Sequence, residues 1–246
     1  MNKLMKLLGV CAAMVLGAAS LSAATKPPAK KPAAKVVAKA PAPDWTKTVR
    51  YLPTGSILRG NPAAKVKLVE YISYTCPHCA HFNGEAGATL ATSYIKPGKV
   101  QVEIRPFFRN VFDVAVSLVA HCGPASRFMD NHDAILAAQD TWIQPALHPT
   151  LEMHDRWMNP DFGQRMKAIA DDLGLTGLMQ ARGYTDPQIT ACTANRPLAE
   201  KMANLTEQAG TVYKVEGTPS FLINNQLQTD VYDWTALRPM LDKSVR

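Results

Sequence analysis

The chain has 246 residues, 27 lysines and arginines against 20 aspartates and glutamates, and five cysteines. With 47% hydrophobic and 19% charged residues it carries enough apolar material for a core, which excludes a disordered chain. The net charge of +7 would suit nucleic acid, but seven lysines and no acid precede Asp44, and the remainder holds 20 basic and 20 acidic residues. The pI therefore gives no reason to expect a nucleic-acid partner.

Lys3 and Lys6 precede an apolar run over 7–19, and the small residues Ser22, Ala23 and Ala24 follow it. That layout predicts a secretory signal peptide over 1–24, cut after Ala24, and so an exported, periplasmic protein. Left uncut, the run would act as a membrane tether, although it falls short of the about 20 apolar residues of a full span. Cys11 leaves with the leader, and the branched Val10 before it argues against lipidation. Residues 25–43 are nearly all Lys, Pro and Ala; five prolines block helix and sheet, which predicts an extended linker to a domain over 44–246.

Residues 65–73 form a largely apolar, β-branched run of strand length. Cys76-Pro77-His78-Cys79 follows, then a helix-compatible stretch over 80–95 that Pro97-Gly98 stops, then an alternating strand over 99–107. This is a βαβ unit with the cysteines at the strand-to-helix junction. Helices are predicted over 111–122, 126–139, 162–173, 186–194 and 197–213. Asp161, Thr185 or Asp186, and Asn195 are N-caps, with Pro187 and Pro197 in first turns. Strand composition returns over 217–223, and 234–244 closes the chain as a helix. A helical block over about 111–213 thus interrupts an α/β domain.

Two cysteines separated by two residues serve as half a zinc site or as a dithiol that closes into a disulfide. Zinc needs four ligands, and Cys122 and Cys192 are single and far apart, so the metal reading is weak and no metal is assigned. Position favours redox chemistry. At a helix N-terminus Cys76 faces unpaired N–H groups and the positive end of the dipole, which stabilise a thiolate. Pro77 suits the first turn, His78 adds a positive or hydrogen-bonding group, and Cys79, one turn in, is the shielded resolving thiol. Stabilising the thiolate favours the dithiol and makes the disulfide the better oxidant.

Cys76-Pro77-His78-Cys79 after Val69-Glu70-Tyr71-Ile72-Ser73, with Gly217-Thr218-Pro219 later, resembles the DsbA-like thiol:disulfide oxidoreductases of the thioredoxin superfamily. The resemblance covers about 56–246 and implies a thioredoxin fold with an inserted helical subdomain. It implies that the Thr218–Pro219 bond is cis, opposite the cysteines, with the Thr218 backbone pairing an extended substrate segment. It also implies that Glu70 is a buried acid beneath the site that exchanges a proton with Cys79; a surface glutamate is the plainer alternative. Two features depart from the family's best-known oxidases. Thr218 stands where they carry Val and matches isomerase and reductase relatives, and Ala80-His81-Phe82-Asn83-Gly84-Glu85 lacks a further acid that some of them place there.

Cys122 and Cys192 could close a structural disulfide worth about 4 kcal/mol in the chain-entropy model, or remain separate thiols. Met153, His154, Trp157 and Met158 lie at helical spacing and read as packing rather than a metal patch. His132, His148 and His154 receive no role. The expectation is a monomeric, exported enzyme without cofactor that gives its Cys76–Cys79 disulfide to folding proteins and is reoxidised, by resemblance, by a DsbB-like quinone-linked membrane protein. The alternatives are a reductase or isomerase held reduced by a membrane donor, and a non-catalytic metal- or peptide-binding chaperone.

Overall fold

The computed structural model describes residues 43–246; the expected leader, and the expected linker up to residue 42, lie outside the described residues. Strands β1 (Val49–Tyr51), β2 (Ile57–Gly60) and β3 (Val66–Ile72) lead into helix α1 (Pro77–Thr89), which widens into a π-helical turn at Leu90–Ile95 before β4 (Val100–Pro106). The helical insertion runs through α2 (Val111–Ala120), α3 (Ala125–Ala137), α4 (Gln139–Trp142), α5 (Gln144–Leu147), α6 (Leu151–Trp157), α7 (Phe162–Asp172), α8 (Leu175–Ala181), α9 (Asp186–Thr193) and α10 (Arg196–Thr211). Strands β5 (Ser220–Ile223) and β6 (Gln226–Leu227) and helix α11 (Trp234–Ser244) complete the chain.

One six-stranded sheet is ordered β1-β2-β4-β3-β5-β6. Only β3 and β4 pair in parallel, with Glu70 opposite Ile104; β5 lies antiparallel to β3 with Phe221 opposite Glu70. β3 is central and covered on both faces, which is why its sequence is largely apolar rather than strictly alternating, with only Lys67 and Glu70 charged. Val66, Leu68 and Ile72 point into the main core, while Val69 and Tyr71 join Ala209, Val215 and Leu222 in a smaller cluster on the opposite face. Phe82 of α1 packs on Phe221 at 4.7 Å between ring centroids and on Trp234 of α11 at 6.4 Å, so α1 and α11 roof the first face. Glu70, two residues from both Leu68 and Ile72, therefore projects toward that roof.

Gly98 ends the helical segment with φ +79°, and a Cβ there would stand 2.8 Å from the Trp45 ring, so glycine is required. In the insertion, Asp161 and Asn195 cap their helices with side-chain oxygens, and Thr185 rather than Asp186 caps α9 through a reciprocal pair with Gln188. Strands β1 and β2 and the short helices α4, α5, α6 and α8 add to the elements read from sequence. Pro145 occupies the first turn of α5 instead of simply breaking the chain. Among the described residues no helix is long and apolar enough to cross a membrane.

Candidate active site

β3 ends at Ile72, and a buried irregular turn over 73–76 delivers Cys76 to the N-cap of α1 with extended backbone (φ −90°, ψ 118°) and Pro77 in the first turn. Cys76 and Cys79 are both free and buried, whereas Pro77 and His78 are exposed. Cys76 Sγ donates to the Thr218 carbonyl oxygen at 3.1 Å, and the Thr218–Pro219 bond is cis. The structure therefore brings the cysteine pair and the Thr-Pro segment together from positions 142 residues apart.

The two thiols differ sharply. A hydrogen bond from the Cys79 thiol is the largest influence lowering the Cys76 pKa to about 5, aided by Thr218 and by the amides of Cys79 and His78, against the cost of burial. His78 thus meets the sulfur through its backbone N–H, with its ring in solvent. Burial pushes the Cys79 thiol well above its ordinary value, and the hydrogen bond it gives to Cys76 and that neighbour's negative charge push further the same way. The Thr218 hydroxyl is buried with no other polar partner, which leaves it available to a thiolate.

Glu70 is 6% exposed. Burial, with a smaller push from Asp133, raises its pKa to about 8. It faces a cavity of about 40 Å³ lined also by Arg59, Phe82, Asn83, His132 and Asp133, with room for water beside the carboxyl. Phe82 lies on α1 close behind Cys79, so acid and resolving thiol share the core under that helix. The buried, central-strand position excludes the surface alternative for Glu70.

The sequence reading passed over His132. It is buried, its Nδ1 lies 2.9 Å from Tyr74 Oη, and burial, with help from Arg59 and His121, lowers its pKa to about 3, so it is a neutral wall of the Glu70 cavity. Its signal was its place in the buried stripe of α3 with Phe128, Ile135 and Leu136. Cys122 and Cys192 form a disulfide with Cα atoms 5.5 Å apart, tying the end of α2 to α9. His154 and Met158 gather no ligand set: among the described residues no three His, Cys, Asp or Glu side chains group as a metal site. Trp157 is a packing residue against Phe112, with its indole N–H on Asp172.

A helix-capping, acidified cysteine, a buried partner thiol one turn away and a cis-proline segment across from them define a dithiol–disulfide site on a thioredoxin fold. The thioredoxin family model matches residues 53–243, and the chain belongs to that family. It is 41% identical to the protein-disulfide isomerase of Novosphingobium aromaticivorans, whose crystal structure it matches with a TM-score of 0.74 over 78% of this chain and 98% of that one. Wolbachia pipientis alpha-DsbA1, 18% identical with a TM-score of 0.61 over 76% of this chain and 89% of that one, shares the fold. A Rickettsia bellii protein that carries the provisional name protein-disulfide oxidoreductase is 28% identical over 187 residues, 76% of this chain. The match spans 63% of that relative's length.

Proposed function

We propose that the protein oxidises pairs of thiols in exported, folding proteins, using the Cys76–Cys79 disulfide as the oxidant. A substrate thiolate attacks Cys76 Sγ, the Cys76–Cys79 bond breaks, and Cys79 leaves with the electron pair and takes a proton, for which Glu70, protonated at neutral pH, is the donor. A second substrate thiolate then attacks the substrate sulfur of the mixed disulfide. The substrate disulfide forms and Cys76 departs as a thiolate. Two substrate thiols are oxidised and the Cys76–Cys79 disulfide is reduced. In the reverse direction the Cys76 thiolate attacks and Cys79 resolves. Substrate backbone pairs with Thr218 beside Pro219, as in the family resemblance.

The acidified Cys76 carries this reading, because a thiolate with a low pKa is a good leaving group and stabilises the reduced enzyme. Equilibration with glutathione tests it. The oxidase reading expects a potential toward about −120 mV, and a value near −270 mV overturns it. A second reading, an isomerase kept reduced by a membrane donor, is favoured by the Thr218 hydroxyl at the sulfurs and by the Novosphingobium relative's name. Rescue of a scrambled-disulfide substrate by the reduced protein, without net oxidation, separates the two.

On the oxidase reading, reoxidation falls to a DsbB-like quinone-linked membrane protein, and the enzyme works as an exported monomer in the periplasm. A mature N-terminus at Thr25 is the check on export.

A further inference from the structure

The 73–76 turn is irregular backbone inside the protein, with Ser73, Tyr74 and Cys76 each at most 3% exposed. Buried backbone polar groups outside helix and sheet need partners, and here the helical insertion supplies several of them. Asp113, buried in α2, accepts the Thr75 amide at 2.9 Å, the Arg109 amide at 2.9 Å and the Ser73 hydroxyl at 2.8 Å. Gln139, buried at the start of α4, donates from one nitrogen to the Tyr74 carbonyl at 2.6 Å and the Cys76 carbonyl at 3.0 Å. Two carbonyl acceptors fix which end of the carboxamide faces the turn, since only the NH2 group has two hydrogens to give.

We propose that Asp113 and Gln139 are positioning residues for the redox centre: Asp113 binding Ser73 and Thr75, and Gln139 binding Tyr74 and Cys76, they hold the turn in the one geometry that aims Cys76 Sγ at the His78 and Cys79 amides and at Thr218. The proposal rests on the thiol–disulfide reading of Cys76. The insertion is then part of the catalytic apparatus as well as a cover over it. Without Gln139 the Tyr74 carbonyl has lost its side-chain donor, while the Cys76 carbonyl keeps the Cys79 and Ala80 amides. The turn is free to rotate Tyr74 outward in search of water, and Cys76 follows because the two are separated by one residue. Asp113→Asn leaves one acceptor oxygen where the carboxylate gave two, so either the Thr75 amide or the Arg109 amide and the Thr75 hydroxyl face an NH2 group instead of an acceptor, and the turn loosens in the same way.

The test compares Gln139→Leu and Asp113→Asn with Leu175→Ala, a fully buried site in α8 of the same insertion that makes none of these hydrogen bonds. Each is reduced, and the Cys76 titration midpoint is followed by thiolate absorbance, alongside the glutathione equilibrium constant and urea stability. Gln139→Leu and Asp113→Asn are expected to raise the midpoint by about one unit and to shift the equilibrium about tenfold toward the oxidised form. Leu175→Ala is expected to lose stability and to move neither quantity.

If the turn variants lose stability with both quantities unchanged, their role is structural and the proposal is overturned. Should either fail to fold, Ser73→Ala, which removes one donor from Asp113, is expected to shift the midpoint the same way by a smaller amount. No shift in that variant overturns the proposal equally. An ordinary thiol midpoint in the unaltered protein would instead overturn the function proposed above, so the two failures are told apart.

Discussion

Replacing Glu70 with Gln should make the protein more stable, and by an amount that depends on pH. In the folded state Glu70 titrates at about 8, against an ordinary value of 4.5. Between those values the folded chain holds a proton that the unfolded chain has released. Stability from this group is therefore complete below pH 4.5, declines as pH rises toward 8, and is flat beyond. At pH 7 the unfolded state has gained about 2.5 units of ionisation, or about 3 kcal/mol at 1.36 kcal/mol per unit. Gln fills the same volume and cannot ionise in either state, so Glu70→Gln removes that advantage of unfolding. The variant should be about 3 kcal/mol more stable at pH 7, somewhat more so at pH 8.5, and no different at pH 4. Urea denaturation of the reduced protein at the three pH values measures this. In the same variant, oxidation of substrate thiols should slow, since the proton donor to the leaving Cys79 is gone. Equal stability at pH 7, or a difference that ignores pH, would refute the assignment of Glu70 as a buried neutral acid.

Iodoacetamide should label Cys76 in the reduced protein with a midpoint near pH 5 and leave Cys79 unmodified; equal labelling of both would contradict the geometry. Since a depressed acid adds stability above its unfolded pKa and loses it as pH falls through the folded one, the reduced form should gain on the oxidised form from about pH 5 to about 9, read from paired denaturation curves. Thr218→Val, which keeps the β-branch and deletes the buried hydroxyl, should raise the Cys76 midpoint by up to about one unit, and an unchanged midpoint would remove Thr218 from the account. The double replacement Cys122→Ala with Cys192→Ala should cost about 2–5 kcal/mol in thermal or urea unfolding, and no loss would mean the bridge adds nothing to folding.

What could be read from sequence was what local chemistry dictates. The largely apolar, β-branched run of β3 declared a strand, the Cys-x-x-Cys declared its own reactivity, and Asp161 and Asn195 marked helix starts because capping is settled within four residues. Strands β1 and β2 escaped because they are three and four residues long and owe their form to partners: Arg59 pairs with both Val49 and Val102. Asp113 and Gln139 were hidden for a related reason, since their partners lie across the fold. Yet Asp113 left a trace as the lone charge inside Val-Phe-Asp-Val-Ala-Val-Ser-Leu-Val-Ala, where an acid in so apolar a helix needs donors from elsewhere. The Cys122–Cys192 pairing could not be separated from two free thiols, because spacing along the chain says nothing of Cα distance.

The insertion also sets an order on the protein's birth. β3 and β5 are neighbours in the sheet, yet the nine helices α2 to α10 lie between them in the chain, so Cys76 is synthesised long before Thr218. Between synthesis of residues 122 and 192 the thiols of Cys76, Cys79 and Cys122 are present without Cys192, and until residue 219 is made the wall that Thr218 and Pro219 form against Cys76 does not exist. A chain cut short between Cys79 and Thr218 holds a Cys-Pro-His-Cys segment without the Thr-Pro segment that faces it. The redox centre is therefore complete only once β5 docks beside β3, when Thr218 reaches Cys76 from the far end of the chain.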